Sequence, residues 1–256
     1  MRAPQSLSLH ALRDIPLVEP GDDLADCLIA ALRDSGQVPM DGDILVIAQK
    51  IVSKAEGRYV SLDTVTPSER AVELAERLGK DPRHVEVVLS ESSEVVKVGP
   101  QVIVVAHRLG FVMANAGIDE SNISHEKGAR VLLLPRDPDA SAQALKARLD
   151  AAFGVSLGII IADSFGRPWR NGIVGVAIGA AGVPSVIDEA GVKDLFGREL
   201  RVTEVAAADE LASAASLLMG QAGQGLPAVL VRGFASPAPP KPASALVRDR
   251  ARDMFR

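Results

Sequence analysis

The chain has 256 residues, 47% hydrophobic and 24% charged, with a formal net charge of −5; it is long enough for one large domain or two joined lobes. That acidity argues against a duplex-binding face, which needs clustered Lys and Arg, and no segment supplies the ~20 apolar residues of a membrane span. The single cysteine, Cys27, excludes an intrachain disulfide and a Cys-based zinc cluster.

In chain order, residues 1–9 lack the basic flank and apolar core of a secretion signal, and a cytoplasmic protein is expected. Gly21-Asp22-Asp23 followed by Leu24, Cys27, Leu28, Ala31 and Leu32 predicts an amphipathic helix with an acidic first turn, stopped at Gly36. Cys27 falls in its apolar phase and is expected in the core. Residues 43–48 read as a buried strand that leaves Gln49, Lys50, Ser53 and Lys54 just past its end. Thr66-Pro67-Ser68-Glu69 reads as a capping box with proline at the first helical position, and Gly79 closes that helix. Short strands are predicted over 85–89, 102–106, 111–114 and 131–134, then a helix over 139–153 stopped by Gly154.

The apolar run at 159–162 reads as a strand that ends abruptly in Asp163 and Ser164, placing polar atoms at a sheet rim. Glycines crowd 166–197 and 220–225, which predicts close approach of backbone to something. A helix over 209–219 and a strand over 228–231 follow. From Ala235, Ser-Pro-Ala-Pro-Pro-Lys-Pro has the composition of a stiff linker to a basic tail. The expected division is a domain over 1–234 and a peripheral tail over 235–256, in an α+β fold because helices and strands mix without strict alternation.

Neither a P-loop nor a Gly-x-Gly-x-x-Gly fingerprint occurs, and no Gly-x-Ser-x-Gly elbow supports a serine hydrolase. Three polar clusters stand out: Asp119 with Asn122, Asp163 with Ser164, and Gln221 in its glycine loop. Two carboxylates with neutral oxygens suit Mg²⁺ or Mn²⁺, although Asp163 also fits a cap and Asp119 a turn. Lys50 and Lys54 either meet phosphate or decorate a surface. Arg167 and Arg170 flank Pro168-Trp169, and their guanidinium forks match carboxylate or phosphate oxygens. His10, His84, His107 and His125 show no paired ligand spacing and read as satisfied surface or loop residues.

Six motifs in fixed order carry a resemblance: Ile-Pro-Leu at 15–17 with Pro-Gly-Asp-Asp-Leu, Gly-Asp-Ile-Leu-Val-Ile with Ile-Val-Ser-Lys-Ala-Glu-Gly-Arg, Asn-Ala-Gly-Ile-Asp-Glu-Ser-Asn, Asp-Ser-Phe-Gly-Arg-Pro-Trp-Arg, Asp-Leu-Phe-Gly-Arg-Glu-Leu, and Leu-Leu-Met-Gly-Gln-Ala-Gly-Gln-Gly-Leu-Pro-Ala. Over residues 15–233 the chain resembles the coenzyme F420-0:L-glutamate ligase family. The resemblance implies a GTP-dependent ligase that joins L-glutamate to F420-0 and adds a further γ-linked glutamate through an acyl phosphate. It also implies a two-lobed α+β fold, a homodimer, two divalent ions (Mg²⁺ or Mn²⁺) and K⁺. On matching positions, the nucleotide would contact Ile15, Pro16, Leu17, Val18, Gln49, Lys50, Lys54, Asn122, Met219, Gly220, Gln221, Ala222, Gly223, Gln224, Gly225 and Leu226. The metals would be held by Asp119, Asp163, Ser164 and Gln221. Arg167 and Arg170 are expected to hold the anionic substrate or the transferring phosphoryl group.

Competing readings are a metal-dependent phosphohydrolase, an amide ligase for another acid, and a non-catalytic dimeric GTP-binding module.

Overall fold

The structure, a computed structural model, describes residues 6–124 and 128–254. In order its elements are β1 (Ser8–Ala11), α1 (Leu24–Asp34), β2 (Ile44–Ala48), α2 (Gln49–Ala55), β3 (Tyr59–Ser61), α3 (Glu69–Leu78), α4 (Pro82–Ser90), β4 (Ser92–Gly99), β5 (Val102–His107) and β6 (Val112–Ala114). They continue as β7 (Arg130–Leu132), α5 (Pro138–Phe153), β8 (Gly158–Arg167), β9 (Arg170–Ala181), β10 (Ile187–Asp188), β11 (Glu204–Val205), α6 (Ala207–Met219) and β12 (Ala228–Arg232). The architecture is mixed α+β, as expected.

The main sheet has the order β1-β12-β2-β8-β9, and within it only β2 and β8 run parallel. Side chains alternate between faces along a strand, so these continuous apolar strands feed two cores. Leu45, Ile47, Ile159 and Ile161 pack with Leu28, Leu32, Leu145 and Leu149 of α1 and α5. Ile44, Val46, Ile160 and Ala162 face Ala208, Leu211, Ala212 and Ala215 of α6. The crowded glycines allow this sandwich to close: a Cβ on Gly175 would strike the Ala212 carbonyl of α6, and one on Gly179 the Pro138 carbonyl of α5. The predicted close approach is therefore helix backbone against β9.

A second layer holds the sheet β4-β5-β6. Its Ile103 and Val105 pack against Leu74, Leu78, Val85 and Val88 of α3 and α4. β3 and β7 pair as a two-stranded ribbon. Glu91 follows α4 and accepts from Arg58 (3.0 Å) and Arg108 (3.1 Å), with His107 Nε2 at 3.5 Å. Arg58 also donates to the Leu134 carbonyl and Arg108 to that of Arg136. This ion cluster fastens helix, sheet and connecting loops together.

Several sequence expectations need correction. Residues 85–89 belong to helix α4, because Asp81 accepts the Arg83 N–H and Pro82 opens the first turn, starting a helix that the β-branched run alone hides. The cap of α3 is Ser68, whose hydroxyl accepts the Ala71 N–H, so Pro67 precedes the cap instead of opening the helix. β8 does not end at Ala162 but continues to Arg167 and turns back into β9, so Asp163 and Ser164 are strand residues. Cys27 lies half-buried on the flank of the α1 core face. His84 and His107 are buried rather than surface residues; His10 is partly buried in β1, and His125 lies outside the described residues.

The segment after Ala235 folds back onto the domain. The Lys241 N–H donates to Val183 O at 3.0 Å, and Ala243 is fully buried against the α6 face of the sheet. Asp139 at the start of α5 accepts from the backbone N–H groups of Ala180, Ala243 and Ser244 (2.9, 2.8 and 3.1 Å). One carboxylate thus ties helix, strand and tail.

Candidate active site

The parallel pair β2 and β8 ends in register at Ala48 and Ala162, and ligand crevices form outside the carboxyl ends of such strands. Here β2 runs into α2, while β8 continues beside a register slip against β9 that leaves Ile178 as the extra residue. Alternation then sends Asp163 and Ser164 to opposite faces. Ser164 reaches the loop after α6, where its hydroxyl bonds Gln221 Oε1 at 2.9 Å. Asp163 lies within electrostatic reach of Lys50 and Asp119.

A cleft of about 530 Å³ opens at this place. Its lining brings together Ile15, Pro16, Leu17 and Val18, Gln49, Lys50 and Lys54, Asn122, and Met219, Gly220, Gln221, Ala222, Gly223, Gly225 and Leu226, together with Asp163 and Ser164. Gln224 shapes the cleft without lining it, accepting the Ala222 N–H at 2.9 Å. Asp119 joins through Lys50, whose ammonium sits 2.7 Å from its carboxylate and 2.7 Å from the Ser121 hydroxyl. Lys54 donates to the Asn122 carbonyl (2.8 Å), and the Asn122 amide donates to the Ala222 carbonyl (3.1 Å). Two loops far apart in sequence are thereby closed over α2.

The electrostatics of the cleft are unbalanced in a useful way. Burial lowers the pKa of Lys54, partly countered by Glu19. Asp163 keeps an opening to the cleft yet has protein packed round it. That burial pushes its carboxyl up to about 7, against the Ser164 N–H and Lys50, with Asp119 adding to the rise. A carboxylate in that state lacks a sufficient cation. No group of three or more His, Cys, Asp or Glu with metal-site spacing gathers among the described residues, so a divalent ion here would rely on Asp119, Asp163, the Ser164 hydroxyl and the Gln221 amide oxygen. Such an all-oxygen set fits Mg²⁺ or Mn²⁺, which fill the rest of their shell with water and phosphate.

Arg167 and Arg170 are not brought into the cleft lining; they close the β8–β9 hairpin. Arg167 lies four positions beyond Asp163 along β8, a span of about 13 Å. Arg167 Nη1 is buried without a hydrogen-bond partner among the described residues. Sequence reasoning missed Tyr59, Ile123, Ser216 and Gly175 on the lining. The glycine crowding pointed toward Gly175, but the other three carried no local motif.

A mixed α+β domain with carboxylates, lysines and glycine loops at the carboxyl ends of its parallel strands has the form of an enzyme acting on anionic substrates. Residues 13–233 match the family described as F420-0:Gamma-glutamyl ligase, and the chain belongs to that family of ligases. Similar proteins include the Coenzyme F420:L-glutamate ligase of Methanothermobacter thermautotrophicus, 50% identical over 98% of this chain and 99% of the relative. The protein of the same name from Methanopyrus kandleri is 51% identical over 96% and 97%, and that from Methanocaldococcus jannaschii 48% over 84% and 85%. No helix among the described residues is long and apolar enough to cross a membrane.

Proposed function

We propose that the protein uses GTP to join L-glutamate to F420-0 through an amide bond and then adds a further γ-linked glutamate. The carrying observation is that the nucleotide and metal positions implied by the family resemblance, scattered from Ile15 to Leu226, meet around one cleft. A carboxylate is a poor acyl donor. Its oxygen first attacks the γ-phosphorus of GTP, breaking the bond to the bridging oxygen and releasing GDP; the deprotonated glutamate amine then attacks the acyl carbon and expels phosphate. Phosphoryl transfer of this kind depends on positioning and charge neutralisation more than on a protein nucleophile, in keeping with a cleft whose lining includes no His or Cys among the described residues.

In this reading Lys50 and Lys54 hold phosphate oxygens, and Ile15, Pro16, Leu17, Val18 and Met219 cover the base and ribose. The glycine loop from Gly220 to Gly225 lets backbone approach the nucleotide. Asp119, Asp163, Ser164 and Gln221 hold two divalent ions, Mg²⁺ or Mn²⁺, which supply Lewis-acid polarisation of the phosphates; K⁺ is an additional requirement. Arg167 and Arg170 are assigned to the anionic F420-0 rather than to the transferring phosphoryl group, because their hairpin carries them beyond the cleft.

The main sheet and the β4-β5-β6 layer would belong to the two lobes of the family fold, and the working species would be a homodimer. The dimer is supported by the β10–β11 arm, whose Leu195, Phe196 and Val202 are almost wholly exposed. Light scattering reads the oligomeric state directly.

Mass spectrometry of F420-0 incubated with protein, GTP, Mn²⁺ and L-glutamate tests the activity. One or two added glutamyl units are expected. GTP hydrolysis without a heavier product would instead favour a phosphohydrolase.

A further inference from the structure

A second cavity, of about 630 Å³, adjoins the nucleotide cleft, and the Lys50–Asp119 ion pair forms the shared wall: Lys50 lines the cleft and Asp119 the cavity. Arg130 and Tyr59 make a second link. The Arg130 guanidinium lines the cavity and lies 4.1 Å over the ring of Tyr59, which lines the cleft. None of the residues peculiar to this cavity is needed for the nucleotide site described above.

Its polar groups are arranged for a ligand rather than for the fold. The Lys80 ammonium is held 3.0 Å from the Asn115 amide oxygen, a neutral partner where a carboxylate would be expected. Burial lowers its pKa, partly countered by Glu120. His84 is 8% exposed, and among the described residues its buried Nε2 has no hydrogen-bond partner; Glu120 Oε1 at 3.6 Å is beyond bonding distance. A buried polar atom without a partner is costly, and the cavity onto which His84 opens is where one could bind. Asn115 and Ala116 both have left-handed backbones (φ 49° and 55°), followed by Gly117. Strain of this kind in non-glycine residues concentrates at binding sites, and here it fixes the amide that orients Lys80.

The charge pattern selects the ligand class. Lys80 and Arg130 supply cations, while Asp119 and Glu120 place carboxylates on the same cavity; a third carboxylate on the lining, Asp81, is paired with Arg83 at 2.7 Å. A polyphosphate would meet those carboxylates unfavourably, and a deazaflavin ring would need a broad apolar slot where the cavity has only Leu62, Ile118 and Ala129. A small zwitterion with extra carboxylate charge satisfies both signs.

We propose that this cavity is the subsite for the incoming amino acid, L-glutamate. Lys80 with Asn115 binds one carboxylate, Arg130 the other, and Glu120 receives the ammonium beside the wall shared with the nucleotide cleft. The assignment rests on the ligase reading above and places the amine donor on the opposite side of the Lys50–Asp119 pair from GTP.

The test is steady-state kinetics of Lys80→Met and Glu120→Gln, both at partly or largely exposed side chains, with Lys80→Arg as the conservative variant. In Lys80→Met the KM for glutamate rises at least about tenfold, with KM for GTP and for F420-0 within about twofold of wild type. Lys80→Arg recovers part of the loss, and Glu120→Gln raises the glutamate KM more modestly. An unchanged glutamate KM in folded Lys80→Met overturns the subsite, as does a rise confined to GTP or F420-0. If wild type forms no glutamylated product, the ligase reading fails separately. Calorimetric titration of L-glutamate into the GTP-loaded protein then decides the subsite: binding lost in Lys80→Met sustains it, and no binding to wild type overturns it.

Discussion

At the scale of the residue, Asp163 couples function to stability. Its carboxyl has an ordinary value of 3.8 and is raised to about 7 by burial in the folded protein. Between those values the folded state binds more protons than the unfolded one, so this group's contribution to stability falls as pH rises from about 4 to 7. Asp163→Asn keeps an oxygen for the Ser164 N–H and removes the buried charge. At pH 8 the metal-free variant is expected to melt higher than wild type, by about 2 °C or more, while metal-dependent GTP turnover drops about 100-fold or more. Thermal melts across pH and a phosphate-release assay check the two halves; a lower melting temperature at pH 8 contradicts the burial account. Asp119 and Asp163 were legible as candidates in the sequence because both sit in compact polar motifs. Lys80, His84 and Asn115 were not, because residues 80, 84 and 115 come together only when α4 and the strained turn at 115–117 pack over β5.

At the scale of the element, the glycines of β9 set the spacing of the sandwich. Gly179→Ala pushes a methyl into the Pro138 carbonyl of α5 and is expected to cost about 1–3 kcal/mol by overpacking, read as a lower urea midpoint. Gly166→Ala, on the exposed stretch of β8 where an added Cβ meets nothing within 4 Å, should stay within about 0.5 kcal/mol of wild type. Equal losses at both sites would show that β-strand glycine as such, not helix approach, governs the effect. β2, β5, β6, β7, β12 and the start of β8 were readable from period, and α5 and α6 to within two residues at each end, whereas β1, β3, β4 and β9 carried no strand signal that was read. α4 escaped because Val85, Val87 and Val88 favour a strand locally, while the Asp81-Pro82 start and the packing of Val85 and Val88 on α3 decide for a helix. The length of β8 escaped because strand pairing through Arg167 depends on β9, whose glycine-rich sequence carries little strand propensity.

At the scale of the molecule, two tie points join distant segments. The Glu91 cluster connects the β3 region, α4, β5 and the chain before α5. Burial alone would raise the Glu91 pKa, but His107, Arg108 and Arg58 hold it down at about 2 against an ordinary 4.5. Its stabilisation is therefore fully present above pH 4.5 and is lost as pH falls toward 2. Glu91→Gln is expected to cost on the order of 3 kcal/mol at pH 7 and to flatten acid unfolding between pH 4.5 and 2, measured by denaturant titration at several pH values. The second tie is Asp139. Its bonds to Ala243 and Ser244 mean that truncation after residue 234 removes two of the three bonds this carboxylate accepts, leaving Ala180, and uncovers the face Ala243 buries, so the midpoint should fall by several degrees. An unchanged melt would show the tail to be an ornament.

The placement of β12 also has a consequence for biosynthesis. It lies between β1 and β2, and among the described residues it is the one strand that pairs with β1. A ribosome elongating at about 5–20 residues per second needs on the order of ten to forty seconds to travel from Ala11 to Ala228. Throughout that interval β1 has no strand to join, and β2 carries an open edge toward the missing one. The nascent chain can assemble helices and the layer around β5 early, but its central sheet is completed only once β12 has been made.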